Sequence, residues 1–275
     1  MRKKILFFET NEFTGATRVT RTLAKAAKNK YEVAFAKVGE SVREDIESAI
    51  EREQPDILFS SFIQINPDVI IEGKQHSLYV IIRNDYKLED VVESVRLRAI
   101  ETYPLADEII AQTEDMRQSL LAISGIALSK VRVLENPLDE DDILEKAKEP
   151  NPFPNNGCFH FLWVGRKDPI KDLPTLQKAF ELVNKENPET DLTLISDEPN
   201  PYKWMKHSDC LVISSRSEAS PNVLREALFL GTLVISTDCS PTVRKLLEKG
   251  RIVPVGDYVK MAETMMSIMR EKIKY

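Results

Sequence analysis

The sequence predicts an α/β protein made of two doubly wound parallel-sheet domains, and three observations lead there. Short apolar runs take turns with longer amphipathic stretches along the chain, the pattern of strands and helices in βαβ succession. The alternation comes in two similar halves, with no internal repeat and no low-complexity segment. Between the halves lies EPNPFPNNG, whose prolines and terminal glycine read as a linker. A chain of 275 residues also exceeds one typical domain. The expected domains are 1–150 and 151–275.

In the first half, Ile5 to Phe8 is a continuous apolar run, as expected of a strand buried on both faces. A loop with Gly15 leads to a helix from about Ala16 to Lys28. Strand Glu32 to Ala36, helix Val42 to Arg52, and strands Ile57 to Ser60 and Leu78 to Ile82 follow. Helix Leu88 to Glu101, strand Glu108 to Ala111, helix Glu114 to Ile123 and strand Val131 to Leu134 come next. The acidic run Asp139 to Asp142 and one short helix then precede the linker. On the first helix Arg18, Arg21, Lys25 and Lys28 recur at spacings of three and four, a basic stripe that reads as a solvated face or as a contact for anionic lipid or a phosphorylated acceptor.

The second half opens with strand Phe159 to Val164, ending in Gly165, and a turn holding Arg166 and Lys171. Helix Leu173 to Asn184, strand Leu192 to Ser196, a short helix near Tyr202 to Lys206 and strand Cys210 to Ile213 follow. Ser220 is a suitable N-cap, Pro221 a suitable first helical residue, and Gly231 a left-handed stop before the strand-like run Thr232 to Thr237. The segment from Gly250 to Asp257 and a last helix from about Tyr258 to Lys272 complete the chain.

The net charge of −6 argues against a general nucleic-acid binder. Cys158, Cys210 and Cys239 are an odd, widely spaced set, expected to be reduced and buried as in a cytosolic protein. The opening MRKKILFFET is too poor in apolar residues for a signal peptide, and no window approaches a membrane span. A cytoplasmic location is expected, with peripheral membrane contact left open by the basic stripe.

The stretch from Ser214 to Asp238 organises the chemistry. Glu218 stands in the loop ahead of a helix start and Glu226 within the helix, so two carboxylates bracket a helix end whose free N–H groups attract anions. A ligand with a phosphate centre and hydroxyls on both sides suits that arrangement, and a nucleotide sugar is such a ligand. Arg166 supplies a planar fork for phosphate oxygens and Lys171 a point charge.

With these pieces in place, the sequence resembles the family 4 glycosyltransferases, the group 1 glycosyl transferases of GT-B fold, as a shortened member. The pair Glu218 and Glu226 within EASPNVLREAL matches the family's two glutamates separated by seven residues. VGRKDPIKDLPTLQKAF, SDCLVISSRSE, GTLVISTD and GRIVPVGD match further motifs in order, and TGATRVTRTLAKA looks like the glycine loop and first helix. The resemblance implies two Rossmann-like domains facing a cleft, the first on the acceptor side and the second binding the nucleotide sugar. It implies transfer, with retention and without a metal, from a UDP-, GDP- or ADP-linked sugar to a saccharide, lipid-linked or small-molecule acceptor in glycan biosynthesis. No cofactor is expected.

By the same resemblance Arg166, Lys171 and Glu218 form the catalytic set. Gly15, Gly165, Ser220, Pro221, Asn222, Val223 and Glu226 join them in binding the donor, with Glu226 on the ribose hydroxyls and Glu218 on the sugar.

The match departs in places. Only DEPNPYKWMKHSDC spans the region where the family reads the base, leaving Asn200, Tyr202 or Trp204 as substitutes. Ser60, Ser61 and the Arg83-Asn84-Asp85 turn stand where many members carry a sugar-contacting histidine, and Ser240-Pro241 where paired glycines are common. A non-catalytic module that binds nucleotide or sugar phosphate is the alternative, and an oligomer is left open.

Overall fold

A computed structural model of the chain describes residues 2–11, 15–84, 88, 91–196 and 198–272. It divides into two compact units, Met1–Pro137 and Leu138–Tyr275.

In the first unit the strands are β1 (Lys4–Thr10), β2 (Glu32–Val38), β3 (Ile57–Ser60), β4 (Tyr79–Arg83), β5 (Glu108–Ala111) and β6 (Val131–Val133). They interleave with helices α1 (Gly15–Ala27), α2 (Val42–Glu53), α3 (Asn66–Gln75), α4 (Glu93–Thr102) and α5 (Glu114–Leu121). All strand pairs are parallel and the order is β2-β1-β3-β4-β5-β6. Ile5 to Phe8 are buried, as an inner strand covered on both faces requires. At α5, Thr113 accepts from the Met116 amide at 3.2 Å, and Glu114 and Asp115 occupy the first turn, where the helix dipole favours them.

Helix α3 lies where no helix was expected between β3 and β4. Its sequence hides it, because Asn66, Pro67, Asp68, Val69, Ile70, Glu72 and Gly73 are all buried and no polar face marks the period. The acids are neutralised in place: Arg98 donates to Asp68 at 2.7 Å, and Arg43 lies 3.6 Å from Asp68 and 3.7 Å from Glu72. Helix α4 begins at Glu93, later than expected, and Asp85 lies outside the described residues.

The second unit holds β7 (Phe159–Val164), β8 (Thr190–Ile195), β9 (Cys210–Ile213), β10 (Leu233–Thr237) and β11 (Ile252–Val253). Its helices are α6 (Glu140–Lys146), α7 (Leu173–Glu186), α8 (Tyr202–His207), α9 (Asn222–Phe229), α10 (Pro241–Leu246) and α11 (Tyr258–Lys272). The five parallel strands run β11-β10-β9-β7-β8. One core, with Met205, Leu224, Val234 and Val243, joins residues of α6, α8, α9 and α10. The other, with Leu176, Val183, Met261 and Met265, joins α7 and α11 to the sheet.

The division between Pro137 and Leu138 precedes the expected boundary at 150/151, and the reason is physical. Asp139 caps α6 by accepting from the Asp142 amide, and Ile143 and Ala147 then enter the core of the second unit. The expected linker follows them in: Phe153 is buried, stacked on His160 at 4.6 Å between centroids and edge-on to Trp204 at 5.3 Å. Polar and proline-rich composition conceals one aromatic side chain that pins the segment.

Candidate donor site

In the second unit the strand order reverses at β7. The chain leaves β7 through α7 to β8 on one side, while β9 lies hydrogen-bonded on the other, with Phe161 opposite Cys210 and Leu162 opposite Leu211. Loops leaving the carboxyl ends of two such neighbours part to opposite faces and leave a crevice, where ligands of open α/β sheets bind. The loop after β7 carries Gly165, Arg166 and Lys171. The loop after β9 carries Ser214, Ser215 and Glu218.

Several bonds sew these loops together. Ser214 Oγ donates to the Lys171 carbonyl at 2.7 Å, the Arg216 amide to the Ile170 carbonyl at 2.7 Å, and Arg216 Nη2 lies 3.1 Å from Asp172 Oδ2. Asp172 can end the turn and start α7 because its backbone takes the left-handed conformation at φ 45°. From the β10 side, Thr237 Oγ1 donates to the Ser215 carbonyl at 2.5 Å and the Glu218 amide to the Cys239 carbonyl at 3.0 Å. Held in this way, Lys171 Nζ donates to Glu218 Oε1, and Ser215 Oγ donates to the same oxygen at 2.7 Å. Cys239 lies beside them, and burial, with the Glu218 carboxylate behind it, pushes its thiol up to about 11.

Helix α9 starts one residue later than expected. Pro221 is the extended residue before it, at ψ 112°, and no side chain caps the end, so Asn222 and Val223 form its first turn. Ser220 is buried and is not the cap. Gly231 takes φ +76° after the helix, the expected left-handed stop. Glu226 is buried in α9, and Tyr202 Oη donates to its Oε1 at 3.3 Å.

Of the expected donor residues, the structure therefore brings Lys171 and Glu218 into contact. Asn222, Val223 and Glu226 lie on the helix that follows, and Arg166 is exposed on the turn after β7. A side chain at Gly165 would lie 3.2 Å from the Trp163 ring, so glycine lets that indole close the end of β7. Gly15 opens α1 in the other unit. Among the described residues, no group of three or more His, Cys, Asp or Glu is placed to hold a metal ion.

The candidates for reading the base have other partners. Asn200 Nδ2 donates to the Lys146 carbonyl at 3.0 Å and its Oδ1 accepts from the Tyr202 amide at 3.1 Å, while Trp204 packs against Phe153. Asp172, Ser214, Ser215 and Thr237 were not anticipated at the site, and Tyr202, expected near the base, donates to Glu226 instead. Polar residues directly after an apolar strand, as in the Ser pair following Ile213, are the signal that marks some of them.

In the first unit the carboxyl ends of β3 to β5 meet a buried polar network. Tyr103 Oη donates to Asn84 at 2.9 Å, Asn66 Nδ2 donates to Tyr103 Oη at 3.2 Å, and Asn136 Nδ2 donates to Gln112 at 3.1 Å. Arg83 donates to Asn136. Ser60 and Ser61 are buried beside these strand ends.

Residues 159–271 match the family model described as Glycosyl transferases group 1. The second unit is a group 1 glycosyltransferase domain. An uncharacterized glycosyltransferase of Methanocaldococcus jannaschii is 30% identical over 176 residues, covering 53% of this chain and 43% of that protein. The N-acetylgalactosamine-N,N'-diacetylbacillosaminyl-diphospho-undecaprenol 4-alpha-N-acetylgalactosaminyltransferase of Campylobacter jejuni is 25% identical over 194 residues, covering 62% of this chain and 52% of that protein. The chain thus spans about half the length of the curated relatives it matches. The crystal structure of HepE from Anabaena in complex with UDP and glucose is similar with a TM-score of 0.81 at 13% identity, over 99% of this chain and 91% of that one. The fold of the chain is accordingly GT-B. Among its described residues no helix is long and apolar enough to cross a membrane.

Proposed function

We propose that this glycosyltransferase moves a sugar from a nucleoside-diphosphate sugar to a saccharide or lipid-linked acceptor, with retention at the anomeric carbon and no metal ion. The observation that carries the reading is the meeting of Lys171, Ser215 and Glu218 where β7 and β9 part. Breaking the sugar–phosphate bond leaves charge on the departing diphosphate. Lys171 and Arg166 supply cations for it, and the first-turn amides at Asn222 and Val223 supply dipoles. Glu218 holds sugar hydroxyls and Glu226 ribose hydroxyls. In front-face attack the acceptor hydroxyl replaces the diphosphate on the same face of the ring, and a phosphate oxygen of the leaving group takes the acceptor's proton. The chain then contributes positioning and electrostatics. A complex of HepE with UDP-glucose, among the similar structures, supports a nucleotide sugar as the ligand.

Calorimetric titration of the parent and of Glu226→Ala with UDP, GDP and ADP tests this. Micromolar binding of one nucleotide, weakened about tenfold or more in the variant, supports the site, and transfer assays with that nucleotide's sugars follow. Binding of none of the three counts against it. The second reading, a module that binds nucleotide without transfer, is favoured by the commitment to internal contacts of Asn200, in the short connection before α8, and of Tyr202, the first residue of α8. Detectable transfer or slow donor hydrolysis decides against that module.

A further inference from the structure

We infer that Tyr202 is a positioning residue that orients Glu226 toward the ribose hydroxyls of the nucleotide, an assignment that rests on the reading just given.

Tyr202 is 5% exposed and Glu226 5% exposed. Packing alone would be served by a phenyl ring at this position. The hydroxyl instead brings a polar atom into the core, and it is placed on the carboxylate of a neighbouring helix. An ionised carboxylate only accepts hydrogen bonds and has about four lone-pair directions. The Tyr202 hydroxyl is one donor to Glu226. A ribose diol offers two hydroxyl donors, which match. At 3.3 Å the Tyr202 bond is longer than the usual O–H···O range, so its orienting contribution is modest.

Tyr202 is itself held firmly. Its amide donates to Asn200 Oδ1, and Asn200 in turn donates to the Lys146 carbonyl at the end of α6. Lys146 Nζ lies 5.9 Å from the centroid of the Tyr202 ring. A line of support thus runs from α6 through Asn200 and Tyr202 to Glu226 on α9. It gives the short connection between β8 and α8 a function other than stacking on a base. A site residue held by packed neighbours loses less freedom on binding, and the ligand contact gains by that amount.

The test is calorimetric. The parent, Tyr202→Phe, Glu226→Gln and the double variant are titrated with UDP, GDP and ADP and with the 2′,3′-dideoxy form of each, and thermal midpoints check folding. The parent should prefer the ribose form by about tenfold or more. Tyr202→Phe should lower that preference about threefold to tenfold while binding the dideoxy form as the parent does. In the Glu226→Gln background the same change should leave the preference where it is. An unchanged preference in Tyr202→Phe overturns the inference, as does equal weakening of both forms, which a merely structural tyrosine would cause. A parent that binds none of these nucleotides, or binds ribose and dideoxy forms alike, overturns the placement of Glu226 on the ribose and this inference with it.

Discussion

Lys171 and Glu218, 47 residues apart in the chain, are joined as an ion pair between the loops that leave the neighbouring strands β7 and β9. The pair is largely shielded, the two side chains being 22% and 15% exposed. The cation proposed to receive the diphosphate is therefore paired with the carboxylate proposed to receive the sugar.

Opposite signs follow for the two partners. Lys171→Met should weaken binding of the nucleoside diphosphate by about tenfold or more, since a hydrogen-bonded charge is lost. Glu218→Gln removes the competitor for Lys171, so the same nucleotide should bind as tightly as to the parent or up to about tenfold more tightly. Transfer should nevertheless fall roughly a hundredfold in that variant, because the sugar loses its charged acceptor. Calorimetry and transfer assays on the two variants check this, and a loss of nucleotide affinity in Glu218→Gln would show that the carboxylate does not compete.

Cys239 gives a pH signature. Its folded pKa is raised from 9.0 to about 11, by burial first and then by Glu218. A raised folded value means that the contribution to stability is fully present below the unfolded pKa and is lost as pH rises through the folded one. The window is thus about pH 9 to 11, and two pKa units correspond to about 2–3 kcal/mol. Thermal midpoints measured across that window should fall more steeply for the parent than for Cys239→Ala. Equal slopes would mean that the thiol titrates as in the unfolded chain.

Gly73 is where α3 meets the sheet. A Cβ there would lie 2.3 Å from Val80 Cγ2 and 3.1 Å from Leu58 Cδ1, so the helix approaches β3 and β4 more closely than any other residue permits. Gly73→Ala should cost about 1–3 kcal/mol through overpacking, although alanine is the better helix former. Val80→Ala in the same chain should return part of that loss, a coupling that a double-mutant cycle measures.

How far the sequence discloses the fold depends on where each residue's partners lie. Strands β3, β5, β7 and β9 occupy the expected residues, because continuous apolar runs between loops have few other uses. Helices α3 and α10 were not foreseen, for different reasons. The first has no exposed polar face. The second begins with the same Ser-Pro signature read at Ser220-Pro221, and there the signature holds: Ser240 accepts from the Val243 amide and Pro241 is the first helical residue. At Ser220-Pro221 the loop is already tied by Glu218 to Cys239 and by Ser215 to Thr237, and the proline remains extended. Tertiary bonds override a local start signal there. At the site, the spacing of Glu218 and Glu226 and the turn with Lys171 were legible as a motif. Asp172, Thr237 and the bond of Tyr202 to Glu226 were not, since they arise from contacts between distant elements.

The basic stripe on α1 separates into unlike parts. Arg21 donates to both oxygens of Glu9, at 2.8 and 3.0 Å, and Glu9 is 4% exposed at the end of β1. Arg21 therefore balances a buried carboxylate, and Arg21→Gln should destabilise the first unit by about 1–3 kcal/mol, the half-exposed guanidinium keeping the loss below that of a fully buried pair. Arg18 and Lys25 on α1, and Lys28 just after it, are the other members of the stripe. A vesicle test of the stripe is consequently best made with those three replaced together and Arg21 retained. If anionic lipid is a partner, sedimentation with phosphatidylserine vesicles should weaken in the triple variant and in high salt, by about 1 kcal/mol for each charge removed. Equal sedimentation of variant and parent would assign these residues to a solvated face.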